Sequence, residues 1–435
     1  MPEHPDLSAS IYADFDLNDW LAYIEALHPK DIEMGLGRVN QVKHRLNLQY
    51  NFPVITVAGT NGKGSTCAML EHIYHAAGYR VASYSSPHLL RYSERVRVAC
   101  HEISDDDLIR AFQAIESARQ EIQLTYFEYG TLAAVWHFMQ KQVDVAILEV
   151  GLGGRLDAVN VFEPDCTVVT SIDLDHMEFL GDTRECIGAE KAGVFRANIP
   201  AICGDEDPPN SLIDYANHIG APLKLIGRDF KVEADKKTWT YRADQFSIEH
   251  MPMPALIGEF QLNNAASVLS AIQSLQHLLP VQIKAIETGL KTVKLAGRFQ
   301  WWAAKPDIIL DVAHNPHAAK SLAINLKNSL HQGKTIAVFA MLADKDITGV
   351  INALSGEIDA WYVATIDNMR GANASNLSKM IVDTLPNAEI KIFNQVVDAF
   401  HQACIDANEN DRIITLGSFF TVAEVMHELQ TKKTK

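Results

Sequence analysis

Two hydrophobic patterns alternate along the N-terminal part of the chain. Short apolar runs with few polar interruptions predict strands that are buried on both faces, as in a parallel sheet. Longer stretches with apolar residues spaced by three and four predict helices that cover such a sheet. The strands are predicted at 54–58, 79–84, 143–150 and 166–172, and the helices at 15–28, 32–46, 105–121, 131–142 and 262–279. Residues 200–260 are less regular and predict a hairpin through 230–248.

A second alternation begins where the pattern breaks, near residue 296. Its strands are predicted at 307–312, 335–341, 360–364, 390–393 and 412–417, and its helices at 316–331, 345–354, 374–384, 396–408 and 420–430. A helix after each strand is the order of a parallel α/β sheet. We therefore predict an α/β fold with two domains. Residues 1–296 form the larger domain around a mostly parallel sheet, and residues 297–435 form a smaller Rossmann-like domain.

Composition narrows the class of protein. A length of 435 residues suits two cores better than one. The formal net charge of −16 argues against nucleic acid or an anionic membrane as a partner. The cysteines form no C-x-x-C pair, which argues against a disulfide framework or a zinc-thiolate site and suits a reducing cytosol. No secretory signal and no apolar run of about 18 residues is visible, so we expect a cytoplasmic protein.

The glycine-rich stretch after the first strand is the leading candidate for chemistry. It is G-T-N-G-K-G-S-T from Gly59 to Thr66, and a predicted helical pattern follows it. The backbone N–H groups, the helix N-terminus and Lys63 can hold a phosphate, and a hydroxyl after the lysine can ligate Mg²⁺. The glycine spacing is shorter than in the Walker A pattern, so an ordinary βα turn is the alternative. The flanking strand and helix favour a phosphate loop, which predicts a P-loop ATPase domain.

Two polar residues come at the ends of predicted strands. Glu149 ends the strand 143–150, and His176 follows the strand 166–172. The carboxyl ends of parallel strands form the ligand-binding edge of an α/β sheet. Each residue alone fits a structural role, whereas the pair predicts ligands for a divalent cation. Lys191, in a predicted helix, has the pattern of an ordinary surface lysine.

Other stretches allow more than one interpretation. Residues 91–98 are rich in arginine, and a solvated strand face is favoured over a basic lining for phosphate or carboxylate. The aromatic residues within 124–130 fit core packing, and they fit equally a grip on a flat ring. Arg298 and the segment 311–316 lie near the predicted joint between domains, where ligands commonly bind.

These motifs together resemble the folylpolyglutamate synthase family, a branch of the Mur ligases. The resemblance covers nearly the whole chain, and the ordered set is far more specific than any one motif. The motifs are V-A-G-T-N-G-K-G-S-T (57–66), Y-S-S-P-H-L-L-R-Y-S-E-R-V-R-V (84–98), L-T-Y-F-E-Y-G-T-L (124–132), L-E-V-G-L-G-G-R-L-D-A (148–158), E-K-A-G-V-F-R (190–196), G-R-F-Q (297–300), D-V-A-H-N-P-H-A-A (311–319) and A-M-L-A-D-K-D (340–346).

The resemblance implies roles for particular residues. The expected ATP contacts are Thr60, Asn61, Gly62, Lys63, Gly64, Ser65, Asn264, Arg298 and Asp311. The expected metal ligands are Ser86, Glu149, His176 and Lys191, the last in carbamylated form. The residues expected to be catalytic are Lys63, Lys191, His176 and His314. The expected pterin contacts are Ala26, Leu27, His28, Pro29, Thr125, Tyr126, Phe127, Glu128, Leu156, Asp157 and Ala158.

The resemblance also implies a reaction. The carboxylate of dihydropteroate, or the γ-carboxylate of a reduced folate, would take the γ-phosphate of ATP and become an acyl phosphate, which the amino group of L-glutamate then attacks. Two Mg²⁺ ions are implied as cofactors, with ATP as co-substrate and a monovalent cation as a further candidate. We expect a monomer whose domains close on ATP. A synthase that acts on folates alone, a cell-wall Mur ligase and a nucleotide-dependent switch are the alternatives.

Overall fold

The computed structural model describes residues 12, 14–30, 32–244, 246–258, 260–329 and 331–433. The described helices alternate with strands as the hydrophobic pattern predicts, which confirms the α/β class. None of these helices is both long and apolar enough to cross a membrane. The helices are Leu17–Leu27, Gly37–Arg45, Lys63–Ala76, Asp105–Arg119, Tyr126–Gln140, Met177–Leu180, Arg184–Ala192, Asn210–Ile219, Phe260–Ser274, Ile283–Thr292, Pro316–Asn328, Ile347–Leu354, Ala374–Thr384, Val396–Asp406 and Phe419–Lys433.

An eight-stranded sheet organises the N-terminal part. Its strands are β1 Val54–Ala58, β2 Val81–Tyr84, β3 Val96–Val98, β4 His101–Glu102, β5 Val145–Glu149, β6 Cys166–Val169, β7 Ala201–Cys203 and β8 Leu223–Leu225. Their order is β4-β3-β2-β5-β1-β6-β7-β8. The strands β2, β5, β1, β6, β7 and β8 run parallel, and the β3–β4 hairpin is antiparallel at one edge. The central strand β1 is buried along its whole length, as its apolar run predicts.

Helices bury both faces of this sheet. The helix Lys63–Ala76 follows β1 and packs against the helices Phe260–Ser274 and Ile283–Thr292. On the opposite face, the helices Asp105–Arg119 and Tyr126–Gln140 pack together over β2 and β5. Every parallel strand therefore ends at one edge of the sheet with a connecting loop, and these loops carry most of the candidate site residues.

The segment predicted as a hairpin forms a three-stranded antiparallel sheet. Its strands are β9 Phe230–Ala234, β10 Thr238–Ala243 and β11 Phe246–Pro252. The prediction of a hairpin was wrong by one strand, because β10 pairs antiparallel on both sides, with β9 and with β11, and β11 continues past residue 248 to Pro252. Trp239, Tyr241 and Ile248 on the inner face join the core around the helix Phe260–Ser274.

The C-terminal part forms a separate six-stranded sheet. The strands are β12 Gln300–Ala303, β13 Asp307–Leu310, β14 Thr335–Phe339, β15 Ala360–Ala364, β16 Glu389–Phe393 and β17 Arg412–Leu416, in the order β12-β13-β17-β14-β15-β16. Only β12 among these pairs antiparallel, at an edge. All five strands predicted for this region are present, and hydrophobic clusters cover both faces of the sheet.

Several predicted boundaries were wrong. The helix predicted at 131–142 begins at Tyr126, because Thr125 and Glu128 form a reciprocal capping box that adds a turn. The helix predicted at 32–46 is confined to Gly37–Arg45, and the one predicted at 262–279 ends at Ser274. The helix Ile283–Thr292 and the edge strand β12 were not predicted.

Candidate active site

A cavity of about 810 Å³ lies at the carboxyl edge of the eight-stranded sheet and is closed on its other side by the C-terminal sheet domain. The loops after β1, β5 and β6 form one wall. The segment from Asp311 to His314, the start of the helix Pro316–Asn328, and Gly417 and Ser418 with the start of the helix Phe419–Lys433 form the other. Ligand sites in α/β folds occur at this edge and between domains. The geometry therefore marks this cavity as the candidate active site.

The phosphate loop turns sharply at two glycines. Gly62 caps the helix with a left-handed φ of 90°, and a Cβ there would lie 2.6 Å from Asn264 Oδ1. A Cβ on Gly59 would lie 1.8 Å from Thr170 Oγ1. Lys63 Nζ donates to the backbone oxygens of Gly59 at 3.0 Å and Thr60 at 3.2 Å. The lysine therefore folds back over the loop, with its charge at the N-terminus of the helix.

Ser86 and Glu149 lie side by side after β2 and at the end of β5. The Ser86 N–H donates to Glu149 Oε2 at 3.2 Å. Burial raises the pKa of Glu149, and the nearby charge of Lys63 opposes that shift. A hydroxyl next to a buried carboxylate is an oxygen donor set of the kind that Mg²⁺ prefers.

Lys191 is buried on the helix Arg184–Ala192 beside the same cavity. No carboxylate of a described residue forms an ion pair with its amine within 4.0 Å. The nearby carboxylates of Glu190 and Asp205 pair with Arg155 and Arg184 instead. Burial first, and the charge of Lys63 second, lower the pKa of Lys191 to about 7. The surface-lysine interpretation was wrong, because the hydrophobic pattern cannot show that this face of the helix packs under the loop Gly153–Gly154.

His176 and Asp175 follow β6 and face the second domain. Burial lowers the pKa of His176 to about 4, against the opposing effect of Asp175, so the imidazole is neutral and can act as a ligand. The pKa of Asp175 lies below its usual range. Burial opposes this shift, but the neighbouring His314 and the charge of Lys345 outweigh it.

Five of the described residues form polar contacts across the cleft. Lys345 Nζ lies 2.7 Å from Asp175 Oδ1, and the two side chains are 9% and 11% exposed. The amides of Asn61 and Asn315 exchange hydrogen bonds at 3.3 and 3.1 Å, so the phosphate loop contacts the N-cap of the helix Pro316–Asn328. His314 Nε2 lies 3.7 Å from Asp175 Oδ2. Sequence reasoning missed Asp175 and Lys345, although each lies within or beside a motif that it used, whereas Asn315 belongs to the segment 311–316 that it expected near the joint between domains.

Arg298 and Asp311 line the C-terminal wall. Asp311 accepts backbone hydrogen bonds from Phe299 and Ala313, both at 2.8 Å, and these hold its carboxylate in place. Burial raises the pKa of Asp311, and Arg298 opposes the shift. The guanidinium of Arg298 lies over the ring of Phe419, 5.3 Å from its centroid.

The expected pterin contacts are only partly brought together. Thr125, Phe127, Glu128 and the segment Leu156–Ala158 line the cavity. Ala26, Leu27, His28, Pro29 and Tyr126 are not part of its wall, where the segment 32–35 lies instead. Gly35 N–H donates to Leu156 O at 3.3 Å, which joins that segment to the lining. The residues from 26 to 29 lead into the wall without forming it.

Glu128 and Asp157 are occupied by contacts within the protein. Glu128 pairs with Arg38, with Nη2 to Oε1 at 3.0 Å, and also accepts from the Thr125 N–H at 2.8 Å. Asp157 accepts from the Leu152 N–H at 2.9 Å, and burial raises its pKa to about 6. Both side chains therefore line the cavity and also hold its wall in shape.

The arginine-rich stretch divides into three environments. Arg91 is exposed and pairs with Glu102, as the solvated interpretation predicts. Arg97 pairs with the buried Glu71 at 3.1 Å. Arg95 is buried in the cavity wall, so for this residue the solvated interpretation was wrong.

Outside the cavity, the described part of the chain has one cluster of side chains of the kinds that bind metal ions. The ligand atoms of Glu71, His72 and Cys100 lie within 4.8 Å of one another. The guanidinium of Arg97 already brings a cation to this group, through Glu71 and the backbone oxygen of Cys100. The group therefore has a structural explanation.

Comparison with known proteins defines the class to which this architecture belongs. Residues 57–272 match the family model of the Mur ligase middle domain, and residues 297–419 match the Mur ligase glutamate ligase domain. The phosphate loop thus lies in the first match, and the opposite wall of the cavity lies in the second. The fold is therefore that of the Mur ligases, with a middle domain followed by a glutamate ligase domain.

Full-length relatives narrow this class further. The chain is 45% identical over 419 residues to dihydrofolate synthase/folylpolyglutamate synthase of Escherichia coli (strain K12), covering 96% of each chain. It is 41% identical to the protein of that name from Haemophilus influenzae, covering 94% of this chain and 96% of the relative. The chain belongs to the dihydrofolate synthase/folylpolyglutamate synthase family of Mur ligases, and it is an ATP-dependent acid–amino-acid ligase.

Solved structures agree with this assignment. E. coli FolC in complex with DHPP and ADP superimposes with a TM-score of 0.92 at 45% identity, covering 97% of this chain and 99% of the other. A bifunctional folylpolyglutamate synthase/dihydrofolate synthase with Mn, AMPPNP and L-glutamate bound superimposes with a TM-score of 0.89 at 45% identity, covering 96% and 99%.

Proposed function

We propose that this enzyme joins L-glutamate to dihydropteroate and to the γ-carboxylate of reduced folates. ATP and a divalent metal ion take part, and ADP and phosphate are released. One observation carries the proposal: a single cavity connects the phosphate loop at Lys63 with the wall formed by Phe127 and the segment Leu156–Ala158. A nucleotide and a flat aromatic acid can therefore meet in one site.

The nucleotide side of this proposal uses residues of both domains. Thr60 to Ser65 hold the phosphates through backbone N–H groups, the helix N-terminus and the Lys63 amine. Asn264 lies against Gly62, and Arg298 lies within 3.9 Å of a Cβ built on Gly64, so both reach the bound nucleotide. Asp311, with its carboxylate held by two backbone groups, accepts hydrogen bonds from the ribose.

The metal side fits a hard cation. Ser86 and Glu149 supply a hydroxyl and a carboxylate, and neutral His176 supplies a nitrogen. We propose Mg²⁺ as the ion and two ions as the number, with a monovalent cation as an addition to test. Lys191 adds oxygen ligands if its amine takes up CO₂: the nitrogen forms a bond to the carbon, one proton leaves, and a carbamate results. Bound Mg²⁺ would supply charge stabilisation at the transferring phosphoryl group.

The reaction follows from the chemistry of a carboxylate, which is a poor acyl donor. Its oxygen attacks the γ-phosphorus, the bond to the ADP oxygen breaks, and an acyl phosphate forms. The amine of glutamate then attacks the acyl carbon, phosphate leaves, and one proton is lost from nitrogen. The protein positions the reactants and offsets charge, chiefly through Lys63 and the helix N-terminus. We propose that His314, which faces Asp175 across the cleft, takes part where the amine of glutamate attacks.

The test supplies ATP and L-glutamate with one of three acids and follows phosphate release and amide formation. We expect turnover with dihydropteroate and with tetrahydrofolate, and none with a nucleotide-linked muramyl acid. Turnover with tetrahydrofolate alone would reduce the function to folate extension. Turnover only with the muramyl acid, or nucleotide binding with no amide product at all, would refute the proposal.

Three further parts of the proposal concern the whole chain. We propose a domain boundary at 296/297. This position lies between the helix Ile283–Thr292 and β12, where the chain crosses from one sheet domain to the other. We propose a cytoplasmic monomer whose ligands are small molecules. Light scattering on the purified protein tests the monomer, and a dimer mass would refute it.

A further inference from the structure

Four functional positions follow one another along the carboxyl edge of the large sheet. The strand order β3-β2-β5-β1 places the phosphate loop after β1, Glu149 at the end of β5, Ser86 after β2 and Arg95 immediately before β3. All four positions line the same cavity. Arg95 therefore lies beyond Ser86 and Glu149 as seen from Lys63, on the side away from the phosphate loop.

Aromatic rings hold Arg95 in this position. Its side chain is 9% exposed, and its guanidinium carbon lies 5.2 Å from the ring centroid of Tyr92 and 5.4 Å from that of Tyr126. Its Nε donates to His88 Nδ1 at 2.8 Å. These contacts orient the planar group and attract its charge weakly, but none of them neutralises it.

Of the other buried arginines of the described chain, one pairs with a carboxylate, and the other makes three hydrogen bonds to oxygens but leaves its Nε without a partner. Arg119 pairs with Glu116. Arg412 donates to Leu326 O, Ser329 Oγ and Thr335 Oγ1. No carboxylate of a described residue forms an ion pair with Arg95 within 4.0 Å; the neighbouring pairs belong to Arg91 and Arg97.

A buried guanidinium without an anion is costly unless a ligand supplies one. Its fork of N–H donors matches a carboxylate through two parallel hydrogen bonds. The triphosphate has its own site at the loop, on the far side of Ser86 and Glu149. The anion that approaches from the side of Arg95 and the ring of Phe127 is the aromatic acid.

We propose that Arg95 binds the carboxylate of the acid substrate and directs it toward the γ-phosphate. This inference rests on the proposed function. The acid and the triphosphate repel each other, and the positive charge of Arg95 offsets that repulsion at the point where they must meet. The aromatic contacts on Tyr92 and Tyr126 keep the fork pointed into the cavity. Arg95 is thus a substrate-binding and positioning residue.

The experiment compares the wild type with Arg95→Gln, Arg95→Lys and a control, Arg91→Gln. Arg91 is an exposed arginine that pairs with Glu102 and is not among the residues that line the cavity. Calorimetry measures the affinity for dihydropteroate and for the same pteridine without its carboxylate. Loss of a charge-assisted pair should reduce the preference for the acid roughly 10- to 100-fold in Arg95→Gln. Arg95→Lys should retain part of it, and Arg91→Gln all of it.

Two controls separate the possible results. Affinity for an ATP analogue and the melting temperature should match the wild type in Arg95→Gln, which excludes a folding defect as the cause. A carboxylate preference that survives in Arg95→Gln would overturn the inference. So would a rise in KM for glutamate with the preference for the acid unchanged, because the bound carboxylate would then be that of glutamate. The binding measurement needs no turnover, so a wild type that forms no amide refutes the proposed function and leaves this test intact.

Discussion

A lysine amine deep in a protein has chemistry that a surface lysine lacks. Burial brings the pKa of Lys191 to about 7, so near neutral pH a large share of the amine is uncharged and nucleophilic. Only the uncharged amine can add to CO₂, and the product is an anion suited to a metal ion. The position beside Lys63 favours that anion, because it replaces repulsion between two cations with attraction.

The first prediction concerns this carbamate. Lys191→Ala should reduce turnover by about 100-fold or more, because it removes oxygen ligands from the phosphoryl-transfer site. Formate or acetate should restore part of the activity by supplying the missing carboxylate. Initial rates with and without the added acid measure the effect. Lys63→Ala serves as the control: it lacks a cation rather than a carboxylate, so formate or acetate should not raise its activity. Full activity of Lys191→Ala without added acid would contradict the carbamate.

Lys191 also shows where residue-level prediction from sequence fails. The strand-end positions of Glu149 and His176 were accessible, because a strand end is visible in a hydrophobic pattern. The burial of Lys191 depends on the loop Gly153–Gly154 packing over its helix, and the burial of Arg95 depends on Tyr92 and Tyr126 meeting around it. Such contacts between distant segments leave no local periodicity, so only the family resemblance could indicate Lys191.

At the scale of elements, the strand-to-helix turn at β1 illustrates a geometric requirement. Gly62 and Gly78 have nearly the same backbone angle, with φ of 90° and 93°. A Cβ on Gly62 would meet Asn264, whereas nothing lies within 4 Å of a Cβ on Gly78. Backbone strain would affect a side chain at either position, whereas contact with Asn264 would affect one at Gly62 alone. A comparison of the two positions therefore separates these two effects.

The second prediction uses this matched pair. Gly62→Ala and Gly78→Ala should each lose about 1 kcal/mol of stability, because alanine disfavours this backbone region. Gly62→Ala should in addition weaken binding of an ATP analogue by roughly 10-fold, since Asn264 or the loop must move by an amount that disturbs phosphate contacts. Urea unfolding and calorimetry measure the two effects. Equal ATP affinity in both variants would show that the contact with Asn264 is unimportant.

The helix Tyr126–Gln140 carries a buried histidine far from this turn. Burial lowers the pKa of His137 to about 4, and Asp107 opposes the shift. The unfolded chain, with a histidine pKa of about 6.5, binds more protons between these values. Stability is therefore complete above about pH 6.5 and is lost as the pH falls toward 4.

The third prediction is a pH-dependent difference in stability. The free energy of unfolding of the wild type, minus that of His137→Gln, should fall by about 2 kcal/mol between pH 7 and about pH 4.5. Taking the difference cancels the other titrating groups, and urea unfolding at the two pH values measures it. A difference that does not change with pH would mean that His137 is as easily protonated in the folded protein as in the unfolded one.

Elements were the most predictable level of the structure, and the reasons are physical. Buried parallel strands are continuous apolar runs, so β1, β5 and β6 could be placed from sequence. Helix ends depend on side-chain caps, and the extra turn at Tyr126 comes from the pair Thr125 and Glu128. The edge strand β12 is short and half exposed, so its pattern resembles a loop.

At the scale of the whole molecule, the two sheet domains contact each other through polar groups in the cleft, besides an apolar contact of Leu89 and Leu90 with the C-terminal core. Asp175 and Lys345 pair across the cleft, and Asn61 exchanges hydrogen bonds with Asn315. Polar contacts between domains permit relative motion more easily than large hydrophobic ones. The phosphate loop itself takes part through Asn61, so nucleotide binding and domain contact share residues.

The fourth prediction is that Lys345 stabilises the closed arrangement of the domains. In Lys345→Met, closure would bury Asp175 without its cation, at a cost of about 3 kcal/mol, so the variant should favour an open arrangement. Small-angle scattering with a non-hydrolysable ATP analogue should then show less compaction than in the wild type. Turnover should fall roughly 10- to 100-fold, because an open cleft separates Arg298 and Asp311 from the nucleotide at the phosphate loop. Lys334→Met is the matched control, since this exposed lysine pairs with Glu389 within one domain.

Compaction equal to that of the wild type in Lys345→Met would show that nucleotide contacts alone close the cleft, and that the pair between Asp175 and Lys345 follows closure without driving it.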